Sequence, residues 1–205
     1  MRLEPMPEAE EQRRVWLSPD ELDSFIDVAR DHSTEHYITM GLMGRCGLRR
    51  AEALNVTPLH LTRTDVQPMI RLEAEDTKAG YFRSTPVPES LYNALKMYIE
   101  YADHLNGMDD ETPFVDTTPR TVARWVTKHA ATSKANSDRD EGGWDYLSPH
   151  DLRRGWANRL IEDGVAPPLI MNFGGWQSWP DFRDAYLNGY SSKRVGDELD
   201  KVAWM

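Results

Sequence analysis

Ser148-Pro149-His150-Asp151-Leu152-Arg153 is a helix start that carries reactive groups from its first turn. Ser148 and Pro149 favour initiation, one as a cap and the other at the first helical position. The three-residue spacing then places His150 and Arg153 on one helical face. An imidazole can handle a proton near neutral pH, and a guanidinium fork binds the oxygens of a phosphate. An ordinary polar first turn reads the same way, so the segment needs partners elsewhere in the chain.

Working outward, the nearest upstream partner in kind is Gly47-Leu48-Arg49-Arg50-Ala51-Glu52. Arg49 at a helix start can offer its fork, with nearby backbone N–H groups, to a phosphate. Glu52, one turn on, can hold it in place, although such Arg–Glu pairs are common on surfaces. Lys78 lies in the predicted turn Lys78-Ala79-Gly80. It is a solvated surface charge or a proton donor to a leaving alkoxide. Downstream, Gly174-Gly175-Trp176 is a tight turn before an indole, whose N–H donates without titrating. It could bond a phosphate oxygen, but such a tryptophan is more often core. Tyr186 falls on a predicted helix, Pro180–Leu187. Tyrosine can form covalent intermediates, and Tyr190 competes one turn later.

The elements around these groups follow from local signals. Ser18-Pro19-x-Glu21 is a capping box opening a helix whose apolar face is Leu22, Phe25, Ile26 and Ala29. A very apolar helix is expected over His36–Cys46, and a short one from Arg49 to Thr57-Pro58. Residues 69–74 alternate at strand period, and Phe82–Val87 follows as a second strand. Helices resume at Leu91–Ile99, after Thr118-Pro119, over about 150–163 and over 166–173. Residues 133–147 read as a flexible loop. The fold class is mainly α with a small antiparallel β-sheet. Residues 1–16 read as a flexible arm, 17–190 as the working domain and 191–205 as a weakly amphipathic tail.

The bulk numbers restrict the function. A chain of 205 residues with seven tryptophans makes one globular domain. The single Cys46 excludes an internal disulfide framework and a cysteine-based zinc site. The six histidines do not fall at metal-ligand spacing, so no structural metal is expected. No apolar run reaches membrane-spanning length and no signal segment opens the chain, so the expectation is a cytoplasmic protein with no membrane partner.

A net charge of −10 is the wrong sign for an ordinary nucleic-acid binder. It is unevenly spread. Residues 100–116 carry Glu100, Asp103, Asp109, Asp110, Glu111 and Asp116 with no cation, whereas residues 150–160 set three arginines against Asp151 alone. A basic working face with an acidic back fits this distribution. Six lysines beside 18 arginines suggest a salt-loving organism such as a haloarchaeon or its virus, where high net charge maintains solubility.

Taken in order, these residues resemble the tyrosine recombinase (phage integrase) family, from about Leu17 to Tyr190. Residues 47–52 look like its Gly-x-Arg-x-x-Glu motif, and Thr77-Lys78-Ala79-Gly80 with Val87-Pro88 like its hairpin-lysine segment. His150-Asp151-Leu152-Arg153 matches its His-x-x-Arg box. Gly175-Trp176 stands where the family has Gly-His or Gly-Trp, and Tyr186 stands at the nucleophile position. The gap from Trp176 to Tyr186 is a residue longer than usual, and the chain resembles the family's catalytic domain alone, as either a minimal integrase or a fragment. The resemblance implies the DNA breaking–rejoining fold and site-specific recombination through a 3′-phosphotyrosyl intermediate. It assigns Arg49, Lys78, His150, Arg153, Trp176 and Tyr186 to catalysis, without metal or cofactor. It implies double-stranded DNA as partner, a homo-tetramer on paired sites, and a tail that docks on a neighbouring protomer. The alternative is a relative that binds DNA without cutting it.

Overall fold

The computed structural model describes residues 1–6, 9–77, 80–105, 108–137, 142–183, 196 and 199–200. Two strands open it, β1 (Arg2–Met6) and β2 (Ala9–Trp16), paired antiparallel with Arg2 opposite Trp16. This hairpin replaces the flexible arm expected for residues 1–16. Charged residues and prolines hide any apolar alternation there. What holds the hairpin is pairing and docking: Val15 is fully buried, and its N–H donates to Asp151 at 3.2 Å.

Helix α1 (Pro19–His32) begins at the capping box read from the sequence. The Ser18 hydroxyl accepts from the Glu21 N–H at 3.3 Å, and the Glu21 carboxylate accepts from the Ser18 N–H at 2.8 Å. Such a cap is worth about 1 kcal/mol. Its buried residues are Leu22, Phe25, Ile26 and Ala29. Helix α2 (Thr34–Arg45) is buried on every side from His36 to Gly44, as an all-round apolar helix must be. Helix α3 (Arg50–Asn55) follows a tight turn at Gly47.

Next come β3 (Leu61–Arg63), β4 (Pro68–Leu72) and β5 (Arg83–Pro86), an antiparallel sheet in that order, with Ile70 opposite both Leu61 and Thr85. Of these three strands only β3 lacked a sequence signal, being three residues long. Helices α4 (Glu89–Leu105) and α5 (Pro119–Ala135) continue the chain. The loop expected over 133–147 is shorter: α5 runs into it, and a 3₁₀ turn at Gly143–Tyr146 buries Trp144 against Phe25, ring centres 6.3 Å apart. Helices α6 (Pro149–Glu162), α7 (Pro167–Gly174) and α8 (Trp179–Phe182) close the described fold. No helix among the described residues is long and apolar enough to cross a membrane.

Helix α6 positions the site. Leu152 belongs to the main core, built from α1, α2, α4, α5 and the sheet, while Trp156, Ala157 and Ile161 join Ile170 and Phe182 in a smaller second core. Seven consecutive residues, Asp151 to Ala157, are buried. The charged ones among them therefore need partners inside the protein.

Candidate functional site

Glu52 is the centre of the site. It lies one turn into α3, 2% exposed, and three guanidiniums approach it. Arg49 Nη1 is 2.7 Å from Oε1, Arg83 Nη2 is 2.6 Å from Oε2, and Arg153 Nη1 is 3.9 Å from Oε2. The Arg49 backbone N–H also donates to Oε2 at 2.6 Å, so the carboxylate caps the helix that begins there. Burial alone would raise the Glu52 carboxyl. The Arg83 charge, the Arg49 amide and the Arg49 guanidinium outweigh it and hold the group below its ordinary value. Burial pulls Arg83 downward while Glu52 opposes that, and an arginine stays cationic throughout the physiological range.

Arg153 is 1% exposed. Its fork donates to two main-chain carbonyls, Gly47 O and, at 2.6 Å, Gly174 O. Its guanidinium carbon stands 4.1 Å from the centre of the Trp176 ring. One side chain thus joins the turn before Arg49 to the turn before Trp176. Gly47 makes this possible: its φ is +68°, and a Cβ there would come within 2.2 Å of the Trp156 ring. Only glycine combines that conformation with that approach.

Trp176 is half-buried and rests on Trp156, ring centres 6.2 Å apart, and on Phe182 at 5.2 Å. It packs as the core reading expected, and it also carries the Arg153 guanidinium on its face.

His150 is exposed at the edge of this cluster. Desolvation by the surrounding protein, and then Arg154, Arg153, Arg49 and Arg14, lower its pKa to about 4. Because the residue is open to solvent, the four guanidiniums are the firmer cause. At neutral pH the imidazole is neutral and can accept a proton. Asp151, beside it, is 1% exposed and structural: it accepts from Ser148 N at 2.9 Å, Ser148 Oγ at 2.5 Å, Val15 N and Arg154 Nη1.

The structure therefore brings together Arg49, His150, Arg153 and Trp176, four of the residues singled out in the sequence. Of these, His150 is exposed, Arg49 (side chain 28% exposed) and Trp176 are half-buried, and Arg153 is enclosed. Lys78, Tyr186 and the competing Tyr190 lie outside the described residues, as does almost all of the tail 191–205. Arg83 was missed. The alternation of its strand holds the signal: Arg83, Thr85 and Val87 point inward, whereas Phe82 is 50% exposed. An arginine on the core face of a strand requires an internal anion.

The histidines hold a second surprise. His32, His36 and His129 meet in space, with His36 Nδ1 2.7 Å from His129 Nε2 and the His32 and His36 rings stacked at 4.2 Å. They form no metal-binding group: among the described residues no set of three or more His, Cys, Asp or Glu is arranged for a metal ion.

Comparison with known proteins places the same residues in a wider frame. The model of the family described as Phage integrase family matches residues 15–190. The integrase of Salmonella phage P22 is 25% identical over 175 residues, covering 84% of this chain and 43% of that protein. A tyrosine recombinase of Thermosipho africanus is 27% identical over 165 residues, covering 78% of this chain and 52% of its own. The chain thus spans about half the length of these relatives. The solved structure of the XerH site-specific recombinase bound to its difH substrate, before cleavage, superposes with a TM-score of 0.68 at 14% identity. That match covers 93% of this chain and 54% of the other, a likeness of fold.

Proposed function

This chain belongs to the phage integrase family, and from that premise we propose that it cuts and rejoins DNA strands at specific sites through a covalent bond to Tyr186. The observation that carries the reading is the guanidinium cluster at Glu52. A chain of net charge −10 gathers Arg49, Arg83 and Arg153 around one buried carboxylate, with a neutral imidazole at the edge. That leaves a local excess of positive charge where a phosphodiester would lie.

The chemistry balances without a stored-energy cofactor. The Tyr186 oxygen attacks phosphorus, forming a 3′-phosphotyrosyl bond as the bond to the 5′ oxygen breaks. His150 accepts the phenol proton, and Lys78 protonates the leaving 5′ oxygen. Arg49 and Arg153 stabilise the non-bridging oxygens of the transition state, and Trp176 adds a neutral donor. A 5′-hydroxyl from a partner strand reverses the step and completes exchange. Double-stranded DNA is the substrate, and four copies on paired sites are the working assembly. The DNA-bound state of the XerH neighbour supports this choice of partner.

The deciding experiment uses a nicked suicide duplex carrying the native target. Wild-type protein should form an SDS-stable DNA adduct and Tyr186→Phe should not. An adduct with Tyr186→Phe would move the nucleophile to Tyr190. The burial of Arg153 favours a second reading, a relative that binds DNA without cutting it. Specific binding with no adduct from the wild-type protein would select that reading.

A further inference from the structure

Arg83 holds a position that none of the expected site residues shares. It lies on β5, 2% exposed, and its fork spans two other elements. Nη2 meets Glu52 Oε2 at 2.6 Å, and Nη1 donates to Phe173 O at 2.5 Å. Two residues earlier, the Tyr81 hydroxyl donates to Gly175 O at 2.9 Å. Strand β5 and the residues leading into it are therefore tied to the start of α3 and to the turn that presents Trp176. Gly175 is fitted to this contact. Its φ is +72°, and a Cβ there would stand 2.8 Å from Arg83 Cδ.

Resting on the strand-cleavage reading above, we infer that Arg83 is a positioning residue, which sets the Arg49–Glu52 pair and the Trp176 turn in fixed relation to each other across β5. It acts through Glu52 rather than on DNA, since its charge is paired with that carboxylate at 2.6 Å, whereas Arg153 stands 3.9 Å from it. The geometry explains why an arginine is needed. A lysine ammonium is a point charge and cannot reach Glu52 and Phe173 O in one plane. It also explains why Glu52 stays ionised. Of the cations facing it, Arg49 belongs to the same helix start, whereas Arg83 and Arg153 come from β5 and α6.

The test compares full-length wild type, Arg83→Gln and Arg83→Lys by two readouts. The first is the titration of the Glu52 carboxyl, followed by its ¹³C resonance. It should move to higher pH in Arg83→Gln and to an intermediate position in Arg83→Lys. The second is the rate of adduct formation on the suicide duplex across pH. Arg83→Gln should be slower by about 100-fold, the effect of misplacing a reacting group by an ångström. Gel-shift binding of the same duplex should be unchanged, and Arg83→Lys should recover part of the rate. Glu52 titrating as in wild type, or Arg83→Gln cleaving at the wild-type rate, overturns the role. So does a rate loss that merely follows the loss of folded protein by circular dichroism in both variants. If Arg83→Gln does not fold, Arg83→Lys carries the same comparisons. If wild type forms no adduct, the cleavage reading fails, while the Glu52 titration still decides whether Arg83 controls that carboxylate.

Discussion

The guanidinium carbon of Arg153 stands 4.1 Å from the centre of the Trp176 ring, inside the range of a cation–π contact. The indole is therefore a platform for the arginine as well as a candidate phosphate donor, and substitutions can separate the two. Trp176→Phe keeps an aromatic face and loses the N–H. Trp176→Ala loses both. Trp176→Ala should lower stability by at least about 2 kcal/mol, the scale of a desolvated cation–π pair, with the packing on Trp156 and Phe182 lost as well. Trp176→Phe should lose most of its cleavage rate with little change in Tm. Thermal unfolding and adduct kinetics on the same preparations check this pair.

Removing the shared carboxylate should be more damaging. Glu52→Ala leaves the enclosed guanidiniums of Arg83 and Arg153 without their common anion. Breaking a buried ion pair from one side costs about 3–5 kcal/mol. Urea unfolding should show that loss in Glu52→Ala and a smaller one in Glu52→Gln, which keeps an acceptor oxygen.

Gly47 invites a backbone test. Gly47→Ala places a Cβ at positive φ and against Trp156. The strain and overlap together should destabilise by at least about 2 kcal/mol. The Gly47 carbonyl would move with it, so Arg153 would lose an acceptor, and cleavage should fall further than stability alone explains. Activity measured well below the variant's Tm separates the two effects.

The pH dependence of cleavage should follow His150. Its pKa near 4 in the free protein leaves the imidazole neutral and basic at pH 7. Activity under kcat/KM conditions should therefore hold from neutral pH down to about 5 and fall as pH drops through 4. Bound DNA would neutralise the surrounding arginines, so the acidic limb of kcat should lie at higher pH than that of kcat/KM. His150→Ala should abolish both limbs and lower the rate.

A separate window governs stability. His36 and His129 are buried and hydrogen-bonded to each other, and burial, then neighbouring cations, lower both pKa values to about 4. Above about pH 6.5 these histidines are neutral folded or unfolded, and they do not change stability with pH. As pH falls from there towards 4, the unfolded chain takes up protons that the folded protein refuses, and stability is lost. The slope is about 1.4 kcal/mol per pH unit for each proton. Urea midpoints between pH 7 and 4 should decline in wild type and decline less steeply in a His36→Gln, His129→Gln double variant, which keeps the contribution of His150.

What could be read from the sequence divides by distance along the chain. The Ser18 box, the α1 face and the His150–Arg153 spacing are local, and each stands where its spacing predicted. The meeting of Arg49 with Arg153 was legible through family resemblance, since no local rule brings residues a hundred positions apart to one carboxylate. The Arg83 bond to Glu52 and the His36–His129 pair, 93 positions apart, are tertiary facts. The β1–β2 hairpin stayed hidden because its stability comes from pairing and one long-range acceptor rather than from apolar alternation. The halophile reading of the composition has no counterpart in the geometry.

Asp151 gives the fold a mechanical property. One carboxylate holds the N–H of Val15 in β2, the Ser148 cap of α6 and the side chain of Arg154. Three attachments that depend on one group let go together. Strand β2 and the helix bearing His150 and Arg153 are thus linked in series, and tension along that strand is delivered to the first turn of α6.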